Sequence, residues 1–143
     1  MTAYLDASVV VRKLQREAGS LRDWGQWKHA YSSELLRVEV LRAVDRARLR
    51  GALTDNEVAD IVMKARAILD GLELIQLSPS ILNRAAQSFL TPLGTLDALH
   101  LATAMRLVES TGIELTFLTH DAELGTAARS MNFAVEGIHM VAE

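Results

Sequence analysis

The chain has 143 residues, half of them apolar and 23% charged, with only 2 Pro and 8 Gly and a formal net charge of −3. That length and apolar content suit one compact domain spanning residues 1–143, and the few Pro and Gly exclude collagenous or low-complexity chains. Zero Cys excludes a disulfide scaffold, a thiolate zinc site and a cysteine nucleophile, and the acidic total argues against a general nucleic-acid coat.

Thr2 to Leu5 reads as a strand ending at Asp6, and Ala7 leads into a helix running to about Glu17. Leu21 to His29 is expected to form a second helix carrying Trp24 and Trp27, interrupted by Gly25. Ala30-Tyr31-Ser32 is a minimal strand before a helix from about Ser33 to Arg50, with Gly51 placed for a left-handed cap. Thr54-Asp55-Asn56-Glu57 is a capping box that opens a helix to about Asp70. Leu72 to Leu77 alternates weakly like a strand, and Ser78-Pro79 starts a helix to about Phe89. Thr95 to about Thr111 is helical, ended by Gly112. Glu114 to Thr119 is a strand, Asp121 to about Met131 a helix, and Phe133 to Ile138 a last strand.

Strands alternating with helices imply parallel pairing through helical crossovers, with helices on both faces of the sheet. In such sheets ligands sit beyond the carboxyl ends of the strands. The expected location is the cytoplasm. No stretch approaches the roughly 18 apolar residues of a spanning helix, and Asp6 falls where a signal peptide would be apolar.

Charge is unevenly placed along the chain. Residues 1–50 hold 10 Lys and Arg against 6 acids, a local +4, and the remainder holds 5 against 12, a local −7. A basic face beside an acidic pocket is therefore available. Asp6 and Asp121 lie at strand ends and Asp97 in the first turn of its helix, so all three can face one rim of the sheet. Each has a simple alternative as a helix cap or dipole partner. Glu39 falls on the shoulder of the apolar stripe formed by Leu36, Val40, Ala43, Val44 and Ala47, where a carboxylate needs a partner. Arg42 or Arg46 would serve on the same helix, and a cation would serve equally. Several carboxylates crowded together repel one another unless protonated or neutralised by a metal. Hard oxygen donors without Cys favour Mg²⁺, with Mn²⁺ plausible.

The residues Tyr4-Leu5-Asp6-Ala7-Ser8, Ser32-Ser33-Glu34-Leu35 running to Val38-Glu39-Val40-Leu41-Arg42-Ala43, Leu96 to Ala104, and Leu118-Thr119-His120-Asp121 occur in that order along the chain. In this the sequence resembles the PIN domains of VapC toxins from prokaryotic type II toxin–antitoxin systems. The resemblance implies a three-layer α/β/α fold with a five-stranded parallel sheet in the order 3-2-1-4-5. It also implies a homodimer, Mg²⁺-dependent endoribonuclease activity on structured RNA such as tRNA or rRNA, and a VapB-type antitoxin that covers the pocket. Carried over position by position, the catalytic and metal-binding acids are Asp6, Glu39, Asp97 and Asp121, with Ser8 and Thr119 supporting them.

Arg12, Lys13 and Arg16 on the first helix and Arg42 and Arg46 on the helix of Glu39 are candidates for positioning RNA phosphates, against a plain solvated face with ion pairs such as Asp45 to Arg48. His100 shares the helix face of Asp97 and is expected to be a core histidine bonded to backbone. His120 is expected to be exposed. Trp24 and Trp27 fit packing or a partner groove better than base stacking, and Val38 and Leu41, outside the main stripe, hint at a second buried surface. Two other functions stay open at this stage. One is a PIN nuclease in RNA processing without a toxin role, and the other a non-catalytic module whose acidic pocket receives a basic partner segment.

Overall fold

The computed structural model describes residues 1–15, 21 and 24–138. Five strands, β1 (Thr2–Leu5), β2 (His29–Ser33), β3 (Glu73–Ile75), β4 (Thr116–Leu118) and β5 (Ala134–Glu136), form one sheet in the order β3-β2-β1-β4-β5, with every pairing parallel. The helices are α1 (Ala7–Leu14), α2 (Leu35–Leu49), α3 (Asp55–Asp70), α4 (Pro79–Ala85), α5 (Thr95–Thr111) and α6 (Ala122–Ser130).

Period-two alternation along the strands sorts the core into two halves. Ala3, Leu5 and Leu118 face one side, where they pack with Val9 and Val10 of α1, Leu36 and Val40 of α2 and Leu69 of α3. Tyr4 and Phe117 face the other, with Leu101 and Leu107 of α5 and Leu124 of α6. Both faces of the sheet are thus covered, as an all-parallel sheet requires. The result is the three-layer α/β/α arrangement.

Local signals set most of the helix ends. Asp6, Thr54, Ser78 and Asp121 each accept a backbone N–H at a helix start, and the Thr54/Glu57 capping box is complete. Gly112 ends α5 with φ 72°, a left-handed conformation that glycine adopts without steric cost.

Some boundaries differ from expectation. No helix spans Trp24 to Lys28. Trp24 and Gly25 form a turn, with Gly25 at φ 84°, and Lys28 N donates to Met1 O at 2.9 Å. That bond draws the segment alongside β1, and β2 begins at His29 rather than Ala30. The first helix ends at Leu14, short of the Glu17 expected, which itself lies outside the described residues, as do Arg22 and Asp23. Helix α2 starts at Leu35 because Ser33 stays in β2, its hydroxyl accepting from Leu35 N. Helix α4 stops at Ala85 rather than near Phe89. There the chain folds back, with the Arg84 guanidinium donating to Ser88 O at 3.2 Å and lying 4.3 Å from the centre of the Phe89 ring. Strands β3, β4 and β5 are three residues each, shorter than the runs that announce them, because only those residues pair with a neighbour. Among the described residues no helix is long and apolar enough to cross a membrane.

Candidate active site

The central strand β1 delivers Asp6 to the carboxyl rim of the sheet. Its N–H continues the ladder by donating to Leu118 O, and its side chain then caps α1 by accepting from Val9 N. The carboxylate is 2% exposed and held on both oxygens. Ser8 Oγ donates to Oδ1 at 2.7 Å and Thr119 Oγ1 to Oδ2 at 2.6 Å. Burial pushes the Asp6 carboxyl above its ordinary range, and the two hydroxyls oppose that rise by stabilising the charged form.

The same hydroxyls bind the β4 loop to the end of β1. His120 N donates to Ser8 Oγ at 2.9 Å, and Asp121 N donates to Thr119 Oγ1 at 3.0 Å. Ser8 and Thr119 are therefore clamps between Asp6 and the strand beside it. Asp121 caps α6 through Oδ1, which accepts from Leu124 N at 2.9 Å. It is a helix cap and a neighbour of the other acids at once.

Asp97, half-buried near the start of α5, reports the crowding most directly. Its carboxyl is pushed up to about 6, first by burial and then by the negative charges of Asp121, Asp6 and Glu39, with only the nearby His100 acting against them. Like charges at close quarters disfavour a further ionisation. Four acids from β1, α2, α5 and the β4–α6 junction therefore feel one another at one rim.

Glu39 does not pair with Arg42 or Arg46. Its Oε1 lies 2.6 Å from His100 Nε2, whereas Arg42 and Arg48 both turn to Asp45, at 3.9 and 2.8 Å. The Asp45–Arg48 pair is the one the i,i+3 spacing predicts. His100 is fully buried, and its ring nitrogens engage side chains rather than backbone. Nδ1 lies 2.9 Å from the Tyr4 hydroxyl. The sequence signals for this link were modest: an aromatic residue two positions before Asp6 and an imidazole three positions after Asp97. His120 is half-buried, not exposed, with Nδ1 2.7 Å from Gly137 O.

Beside the acids runs a groove of about 390 Å³. Ser8 and Glu39 border it, Val38 and Leu96 give it apolar wall, and Arg42 and Arg46 lie along it. Of the other candidate cations, Lys13 sits 5.8 Å from the Trp24 ring centre, Arg12 is half-buried on α1, and Arg16 lies outside the described residues. Trp24 and Trp27 meet edge to face at 5.2 Å and pack on the core, as does Leu41, while Val38 stays 59% exposed.

The chain matches the PIN domain over residues 3–129. It belongs to the PIN-domain family. Among curated proteins it is similar to Ribonuclease VapC47 of Mycobacterium tuberculosis (strain CDC 1551 / Oshkosh), 33% identical over 138 residues that cover 91% of this chain and 92% of that one. Ribonuclease VapC46 of Mycobacterium tuberculosis (strain ATCC 25618 / H37Rv) is 36% identical over 136 residues, covering 92% of this chain and 94% of its own. This PIN domain is thus of the VapC type.

Four carboxylates with no thiolate in the chain form a donor set that fits a hard divalent cation, and the charge crowding at Asp97 is what such a cation would relieve. Among the described residues, no three acidic or histidine side chains already stand close enough to grip an ion by themselves. A hard divalent cation that keeps several of its own waters would suit that looser arrangement.

Proposed function

We propose that this chain is the toxin of a toxin–antitoxin pair, a Mg²⁺-dependent endoribonuclease that Mn²⁺ also supports, working as one PIN domain in the cytoplasm. The observation that carries the reading is the elevated carboxyl of Asp97, which couples it to Asp6, Glu39 and Asp121 at the switch point of a parallel sheet. The ribonuclease names of both relatives support the same activity. Asp6 and Asp97 would be the firmest metal ligands, with Glu39 and Asp121 holding the metal or its water. When bound, the ion would acidify a water and screen the charge on the scissile phosphate.

The chain's own residues supply the rest. Ser8 and Thr119 fix Asp6 in place and favour its charged form against the cost of burial. Arg42 and Arg46, along the groove that Glu39 borders, are placed to hold backbone phosphates of an RNA strand, with Arg12, Lys13 and Arg16 as further contacts. A VapB-type antitoxin would shut the site by laying a segment in the same groove. A homodimer would cover exposed apolar side chains such as Val38.

The deciding experiment is cleavage of a structured RNA with Mg²⁺ or Mn²⁺, comparing the parent chain with Asp6→Asn and Asp97→Asn. Both variants should fold and lose metal-dependent cleavage by at least about 100-fold. Undiminished cleavage by either well-purified variant refutes the active-site assignment. Arg42→Glu with Arg46→Glu should weaken RNA binding while leaving thermal stability near the parent's.

A further inference from the structure

One polar chain in the interior is left over once the acids have been assigned roles. It runs from the Tyr4 hydroxyl to His100 Nδ1 at 2.9 Å, and from His100 Nε2 to Glu39 Oε1 at 2.6 Å. Tyr4 and His100 are both fully buried, so neither touches substrate. The three residues lie on β1, α5 and α2; Asp6 directly follows the end of β1, and Asp97 lies in the first turn of α5. We propose that His100 is a positioning residue, held by Tyr4, that fixes the Glu39 carboxylate and so decides which of its oxygens is offered to the metal-binding rim. This rests on the nuclease reading above and adds to it a residue that acts through Glu39.

The hydrogen-bond roles follow from the groups present. An ionised carboxylate only accepts, so His100 Nε2 must carry a proton and donate to Oε1. In the neutral ring Nδ1 is then an acceptor, and the Tyr4 O–H is the group that donates to it. The Ser32 and Thr103 hydroxyls, which also lie against Tyr4, send their own protons elsewhere. Ser32 Oγ donates to Leu5 O at 2.6 Å and Thr103 Oγ1 to Leu99 O at 2.7 Å. Bonds at both ring nitrogens forbid a ring flip and select one tautomer. Oε1 of Glu39 is thereby committed to His100, leaving Oε2 as the oxygen free to serve the rim. Partners of this kind, one bond removed from a metal, typically change metal affinity or activity about 10- to 100-fold when lost. A leucine would fill the same core volume without the cost of burying polar atoms, so packing alone does not account for this chain.

The test uses the full-length protein with a structured RNA and Mn²⁺. His100→Asn keeps an amide near Tyr4 but cannot reach Glu39, whereas His100→Gln carries an amide N–H close to the place of Nε2. Tyr4→Phe removes a single oxygen and guards against misfolding of the histidine variants. His100→Asn should lower kcat about 10- to 100-fold with little change in KM for RNA, and should weaken Mn²⁺ binding measured by calorimetry by a similar factor. His100→Gln should recover most of both losses, and Tyr4→Phe should show a smaller loss of the same kind. In a Glu39→Gln background, His100→Asn should cost nothing further.

Parental kcat and Mn²⁺ affinity in folded His100→Asn and Tyr4→Phe overturn the inference. So does a His100→Asn loss of equal size with and without Glu39, which marks a packing role. Undiminished cleavage by Asp97→Asn, run alongside, would instead refute the nuclease site itself.

Discussion

Replacing Asp97 by Asn should make the metal-free protein more stable, even as it removes activity. In the folded chain the Asp97 carboxyl is held up at about 6, against 3.8 for the isolated group. The unfolded chain therefore ionises this group first, and the folded state loses stability as pH rises from about 4 to about 6. Above that window the cost is constant. Two pKa units at about 1.4 kcal/mol each give about 3 kcal/mol. Because Asp97 is half-exposed, solvent screening reduces this to about 1–2 kcal/mol. For a chain of this size that is a rise in Tm of roughly 3–6 °C. The assay is thermal unfolding of parent and Asp97→Asn in chelator at pH 7.5, 5 and 4. The gain should be full at pH 7.5, shrink at pH 5 and vanish near pH 4, where the parent's carboxyl is also neutral. Adding Mn²⁺ should raise the parent's Tm and move the variant much less. An unchanged or lower Tm for Asp97→Asn at pH 7.5, or a gain that persists undiminished at pH 4, would refute the idea that like charges crowd this residue.

Two further substitutions probe the scaffold beneath the acids. Thr119→Val keeps the shape of the side chain but removes the hydroxyl that donates to Asp6 and accepts from Asp121 N, and it should cost about 2–4 kcal/mol at pH 7.5 in urea unfolding. The raised Asp6 carboxyl gains its proton as pH falls, so this loss should be smaller at acid pH; an equal loss at both would show that the hydroxyl does not support the charged form. Gly137→Ala places a methyl group 2.5 Å from Thr119 O at a backbone φ of 101°, which should destabilise by at least about 2 kcal/mol. A parental Tm for that variant would contradict so close an approach of the segment after β5 to the loop after β4.

The order of strands and helices, and the sharing of one rim by Asp6, Asp97 and Asp121, were legible because they rest on local chemistry. Capping residues such as Thr54 and Ser78 act on the next turn of chain, and Asp6 and Asp121 mark the points where strands give way to helices. The segment around Trp24 misled because two tryptophans three apart satisfy helical spacing, while the competing bond from Lys28 to Met1 spans 27 positions and leaves no local trace. Helix α4 ended early for a similar reason, since the fold-back of Ser88 and Phe89 onto Arg84 competes with a periodicity that could have continued. Glu39 shows the limit most clearly. Its place on the helix revealed that it needed a partner, and the nearby arginines were the obvious local choice. The true partner, His100, is 61 residues away on an element that only the tertiary fold brings alongside.

Because every strand points the same way, the acids gather at one rim of the sheet and the strands begin at the other. Glu114 is exposed there, at the entrance to β4, and the three residues of that strand alone separate it from Thr119 by about 10 Å. With no native cysteine in the chain, Glu114→Cys would supply a unique reactive thiol for a fluorophore or surface tether. The protein could then be watched one molecule at a time while the rim that carries the acids stays uncovered.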